Sequence, residues 1–194
     1  MPLPAIVLLI PVAAALIKGK RATVRGHAAK SAREDHMSSE EPTETEVEAV
    51  VDSAIGIPYS YGAGAPSDPF PQGAKGIKGG HGYDCSGFVQ GALVALGLLP
   101  ETAPDRGAAS LAKLGSPVAW GKQQPGDVAF YGTPVTHVML VRTEPDASGD
   151  SGVIGASGGH SYTNGDDPKA AVKTFGSMKY RGDFRGVCRI NING

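Results

Sequence analysis

The hydrophobic pattern changes period part-way along the chain, and this constrains the fold more than any other feature. Val47, Val50, Val51, Ala54 and Ile55 recur at helical spacing, as do Phe88, Val89, Ala92, Leu93 and Leu96. After about residue 115 the apolar stretches become short and are set apart by turn residues. They run over 127–131, 137–142, 153–157 and 185–192. Helices first and consecutive strands afterwards predict an α+β fold, with N-terminal helices packed on an antiparallel sheet. Thr43 and Glu46 fit a capping box that opens the first helix, and Gly56 closes it. Asp84 is the natural N-cap of the second, expected from Cys85 to about Leu98. Residues 105–114 suggest a short third helix.

The chain has 194 residues, enough for one domain and an appendage. The expected division is a hydrophobic segment over 1–17, a polar linker over 18–42 and the domain over 43–194. Leu3 to Ile17 is apolar throughout, with Pro4 and Pro11 inside it and Lys18, Lys20, Arg21 and Arg25 after it. Fifteen residues rise roughly 22 Å as a helix, short of a hydrocarbon core of roughly 30 Å. The charges follow the apolar run, whereas a secretory signal carries them first. An atypical export signal, a membrane anchor and an arm for a membrane or virion-tail assembly all remain open for residues 3–17. A net charge of -1 gives no basic footprint for nucleic acid, so no nucleic-acid partner is expected. With 28 glycines and 15 prolines, long loops are expected, the longest over 62–82.

Two cysteines are present and no Cys-x-x-Cys pair, so neither a metal nor another cofactor is expected. Cys188 sits in an alternating strand-like stretch and reads as a small core residue. Cys85 lies at a helix start, where the macrodipole and free N–H groups favour thiolate and offer donors to an oxyanion. His137 opens an apolar strand. A cysteine at a helix N-terminus facing a histidine on a strand is the layout of a thiol nucleophile with its general base.

Four blocks in order carry a resemblance. Tyr83-Asp84-Cys85-Ser86-Gly87-Phe88-Val89-Gln90 resembles the nucleophile motif of NlpC-type cell-wall cysteine peptidases. Gly56-Ile57-Pro58-Tyr59-Ser60-Tyr61-Gly62 resembles an upstream segment of that family, and Gln124-Pro125-Gly126-Asp127-Val128-Ala129-Phe130-Tyr131 a downstream one; His137-Val138 falls where the family's base stands. The resemblance covers about residues 43–160. It implies a papain-like domain that hydrolyses peptidoglycan stem peptides, typically between D-glutamate and a diamino acid. A small domain with an apolar arm would suit a tailed-phage virion as well as a secreted or anchored bacterial enzyme. The resemblance implies Cys85 and His137 as catalytic residues and Tyr59 along the substrate cleft. Asp84 and Ser86 beside the nucleophile, and Ser157 on the strand face of Gly155, are further candidates for contact with substrate. The family usually places His, Asn or Gln on the strand after the base to orient the imidazole. That position here is Gly155. His160, after Ser157-Gly158-Gly159, is the expected substitute, with Ser157, a backbone carbonyl or water as the others. The Gly155 departure also leaves open a catalytically weak structural or adhesion protein on the same fold, and the Cys–His pair an amidase or acyl transferase.

Overall fold

The computed structural model describes residues 41–66, 69–76, 81–161 and 163–190. The segment 1–17 and all of the linker except Glu41 and Pro42 lie outside the described residues. Helix α1 spans Glu44–Val51 and continues as a 3-10 turn over Asp52–Ala54. Its capping box is formed: Thr43 Oγ1 accepts from the Glu46 N–H, and Glu46 Oε2 accepts from the Thr43 N–H at 2.9 Å. The helix therefore ends before Gly56, which lies in a following turn.

A two-stranded ribbon pairs β1 (Ala74–Lys75) with β2 (His81–Gly82). Helix α2 covers Cys85–Ala95 and stops three residues earlier than its apolar pattern suggests. Gly97 takes a left-handed φ of 73° just beyond the Leu96 cap, a conformation that ends helices. The third helix is a single turn, α3, over Ala108–Leu111.

Six strands follow: β3 (Ser116–Val118), β4 (Val128–Tyr131), β5 (His137–Val141), β6 (Val153–Ser157), β7 (Ala171–Phe175) and β8 (Phe184–Arg189). They form one antiparallel sheet in the order β3-β8-β4-β5-β6-β7. The α+β expectation therefore holds. Strand alternation sorts the side chains onto two faces. Val128, Val138, Leu140, Ile154 and Ala156 join the core shared with α1 and α2. Ala129, Tyr131, Met139, Val141 and Val153 build a second core on the opposite face, closed by Met178, Phe175, Tyr180 and Phe184. Both faces of β5 are thus covered, which is why its residues read as a continuous apolar run.

Two ion-pair clusters tie residues within 41–52 to this sheet. Arg142, just past β5, donates from Nε and Nη2 to the Asp52 carboxylate at 3.0 and 2.8 Å and from Nη1 to Glu48 at 2.9 Å, fixing α1. Arg189 donates to the nearly buried Asp127 at 2.8 and 3.0 Å and to Glu41 at 2.8 Å. The folded body therefore already includes Glu41.

Candidate active site

Helix α2 is buried on all sides from Cys85 to Leu93, so its first turn is fixed by packing. Asp84 caps it. Asp84 Oδ1 accepts from the Gly87 N–H at 2.6 Å and from the Ser86 hydroxyl at 2.9 Å, while Oδ2 accepts from the Gly64 N–H at 3.1 Å. The carboxylate is thus spent on holding the helix start to the 62–66 loop. Gly87 has no room for a side chain, because a Cβ there would overlap the Gly64 carbonyl. A Cβ at Gly91, one turn on, would crowd Phe70 and Pro66. Gln90 is buried and holds a second loop, donating to the Pro104 carbonyl at 2.9 Å and accepting from the Arg106 N–H at 3.0 Å.

This framework fixes the Cys85 thiol, which is 7% exposed. Burial pushes the thiol up to about 11. The N–H groups of Val138, Ser86 and Cys85 itself pull the other way, and the Asp84 charge adds to the rise. The thiol therefore lies against the backbone of Val138, the residue after His137. The start of α2 and the start of β5 meet here.

His137 is 7% exposed and cross-strand from Tyr131, with ring centroids 5.5 Å apart. Burial pushes its imidazole down to about 4; the Arg181 guanidinium adds to that shift and Asp183 opposes it. Both members of the pair are therefore neutral near pH 7 in the unliganded protein. Nε2 of His137 is 2.9 Å from the Tyr180 hydroxyl. The tautomer of the ring decides which of the two groups donates.

Tyr59 is also buried. It forms a parallel bridge to Tyr83, and its N–H donates to the Ala170 carbonyl at 2.8 Å. Its ring packs against Gly159, where any Cβ would overlap it. Burial, then the Cys85 and Asp84 charges, raise its phenol above the ordinary range. Tyr59 thus shares the site with Cys85.

Gly155 leaves the third position without a side chain of its own. Gly155 lies inside β6, and a Cβ there would lie 2.6 Å from Met139 Sδ, so the thioether occupies the space of the missing side chain. His160 is exposed on the loop after β6, where its N–H donates to Thr163 Oγ1 at 3.0 Å. A contact to His137 Nε2 comes from Tyr180, in the 3-10 turn Met178–Tyr180 between β7 and β8. Ser157 is buried, and it and Arg181 both lie close enough to the Tyr180 hydroxyl to favour its ionised form. Sequence reading missed Tyr180, since one tyrosine in a turn carries no motif.

The model of the NlpC/P60 family matches residues 56–163, more than half of the chain. The chain belongs to the NlpC/P60 family. Peptidoglycan endopeptidase RipB of Mycobacterium tuberculosis is 34% identical over 113 residues, 54% of this chain and 43% of that protein. Peptidoglycan endopeptidase RipA of the same organism is 37% identical over 84 residues, 41% of this chain and 16% of that protein. The chain thus matches less than half the length of these relatives. Among solved structures, the peptidoglycan hydrolase RipB of Mycobacterium tuberculosis superposes with a TM-score of 0.52 at 28% identity, covering 76% of this chain and 64% of that one. RipD of the same organism, described as a non-catalytic NlpC/p60 domain protein adapted to peptidoglycan binding, gives 0.52 at 23% identity over 78% of this chain and all of that one. The RipD likeness bears on the fold.

Proposed function

We propose that this protein is a cell-wall hydrolase that acts outside the cytoplasm and cleaves a peptide bond of the peptidoglycan stem, with Cys85 as nucleophile and His137 as base. The observation that carries the reading is the meeting of a capped helix-start thiol with the strand that begins at His137, in a member of the NlpC/P60 family. RipA and RipB, both named peptidoglycan endopeptidases, support the substrate class.

The neutral pair fits general-base attack. Nδ1 of His137 takes the thiol proton as sulfur adds to the scissile carbonyl. The tetrahedral oxyanion forms beside the first-turn N–H groups of α2, which are aimed at developing charge. The imidazolium then returns the proton to the departing amine, leaving a thioester on Cys85. Water, deprotonated by His137, hydrolyses the thioester and restores the thiol. Tyr59 closes one wall of the site, and Asp84 and Ser86 hold the helix start. The expected bond joins D-glutamate to the diamino acid.

Binding without hydrolysis is the competing reading, favoured by the same burial that keeps Cys85 and His137 neutral. Incubation with purified peptidoglycan, followed by mass spectrometry of the soluble fraction, separates the two. Hydrolysis releases stem fragments with a new free amine on the diamino acid. An unaltered wall that co-sediments with the protein would establish binding alone.

A further inference from the structure

We propose that Tyr180 is the positioning residue for His137, doing from the β7–β8 turn what the strand position at Gly155 has no side chain to do. The inference rests on the reading that Cys85 and His137 are the catalytic pair. It begins from the hydrogen bond of 2.9 Å between His137 Nε2 and the Tyr180 hydroxyl.

A base must present an unprotonated nitrogen to the thiol. With Nε2 engaged by Tyr180, that nitrogen is Nδ1, so the proton of the neutral ring must sit on Nε2. Tyr180 must then accept from Nε2–H. Its oxygen has two acceptor sites and one proton. The guanidinium of Arg181, close to this oxygen, has only donors to offer it. The Ser157 hydroxyl, also close to this oxygen, has a lone pair that can take the Tyr180 proton. Tyr180 accepting from Nε2–H and giving its own proton elsewhere is the arrangement that selects the tautomer general-base attack needs. Arg181 is itself held by a two-point pair with Asp183, at 2.9 and 2.8 Å.

The Tyr180 ring is rigidly placed, as a positioning residue requires. It stacks on Phe175 with centroids 3.9 Å apart and meets Tyr131 edge-on at 5.4 Å. Its turn is pinned by Asp150, which accepts from the Met178 N–H at 3.1 Å and from the Ser177 hydroxyl. The ring thus owes its place to packing and the hydroxyl alone reaches the base. Tyr180→Phe separates the two roles.

The test measures turnover of a stem peptide by the wild type, Cys85→Ala and Tyr180→Phe, with nitrogen-15 NMR of labelled histidine on the full chain. His137 is assigned through His137→Gln. Tyr180→Phe is expected to lower kcat at least tenfold with KM within twofold. The wild-type spectrum is expected to show His137 in one tautomer, protonated at Nε2, and Tyr180→Phe to show a mixture. Unchanged kcat in Tyr180→Phe, with an active wild type and a dead Cys85→Ala, overturns this inference and leaves the catalytic pair standing. Full activity in Cys85→Ala overturns the catalytic pair, and the inference with it. The NMR arm reads independently of activity: a wild-type His137 protonated at Nδ1, or a tautomer mixture unchanged by Tyr180→Phe, overturns the positioning role.

Discussion

Acidification from pH 7 to pH 5 is expected to weaken the fold through His137. The imidazole is held at about 4 in the folded protein, against an ordinary value of 6.5, chiefly by burial and next by Arg181. Between those values the unfolded chain binds a proton that the folded protein refuses. Stability therefore falls as pH drops through this window, and is complete only above the upper value. Each unit of the gap corresponds to about 1.4 kcal/mol, which bounds the effect at about 3 kcal/mol and gives about 2 kcal/mol at pH 5. Urea unfolding of the wild type and of His137→Gln at both pH values isolates it, because the other titrating groups are common to both proteins. The wild type is expected to lose about 2 kcal/mol more than the variant on acidification. Equal losses would refute a buried neutral imidazole.

Asp127→Ala is expected to cost about 2–4 kcal/mol in urea unfolding, because it strands the Arg189 guanidinium and the Gln124 N–H that Asp127 now accepts from. A cost near zero would show that water replaces the carboxylate freely. Arg142→Met is expected to cost only about 1 kcal/mol, since its pairs with Asp52 and Glu48 are partly exposed, and the cost should shrink in high salt. Absorbance at 240 nm is expected to show no thiolate at pH 7, both thiols being pushed up to about 11 by burial. A neutral-pH thiolate signal that disappears in Cys85→Ser would contradict general-base attack. Gly159→Ala is expected to destabilise by about 1–3 kcal/mol, because its methyl group would displace the Tyr59 ring; a wild-type melting curve would contradict that packing.

The parts of the fold written in local pattern were legible in the sequence. The Thr43–Glu46 box, the Asp84 cap and the strands over β4, β5 and β6 depend on neighbours within a few residues, and each formed where its residues indicated. Strand β3 carries Pro117 and sits at the sheet edge, so it shows no alternation to read. Strand β7 is the opposite edge, with one fully buried residue, Val172, and the same weakness. The candidate site divides similarly. Cys85 and His137 were legible because a helix cap and a strand start announce themselves locally. Tyr180 was not, because it reaches Nε2 only once β8 has inserted between β3 and β4 and the second core has closed under it. The glycine at 155 was visible as a departure, but Met139 as the occupant of its space was not. A reading of residues 3–17 as anchor or assembly arm concerns a segment outside the described residues.

The central claim is that Cys85 is the nucleophile of a peptidoglycan peptide hydrolase. The most direct measurement is the rate of amine release from an isolated stem peptide by the wild type and by Cys85→Ala, both shown folded by their near-ultraviolet spectra. The expected result is measurable turnover by the wild type and a loss on the order of 10⁴-fold or more in the variant. Equal rates in the two proteins, or no release by a correctly folded wild type, would contradict it.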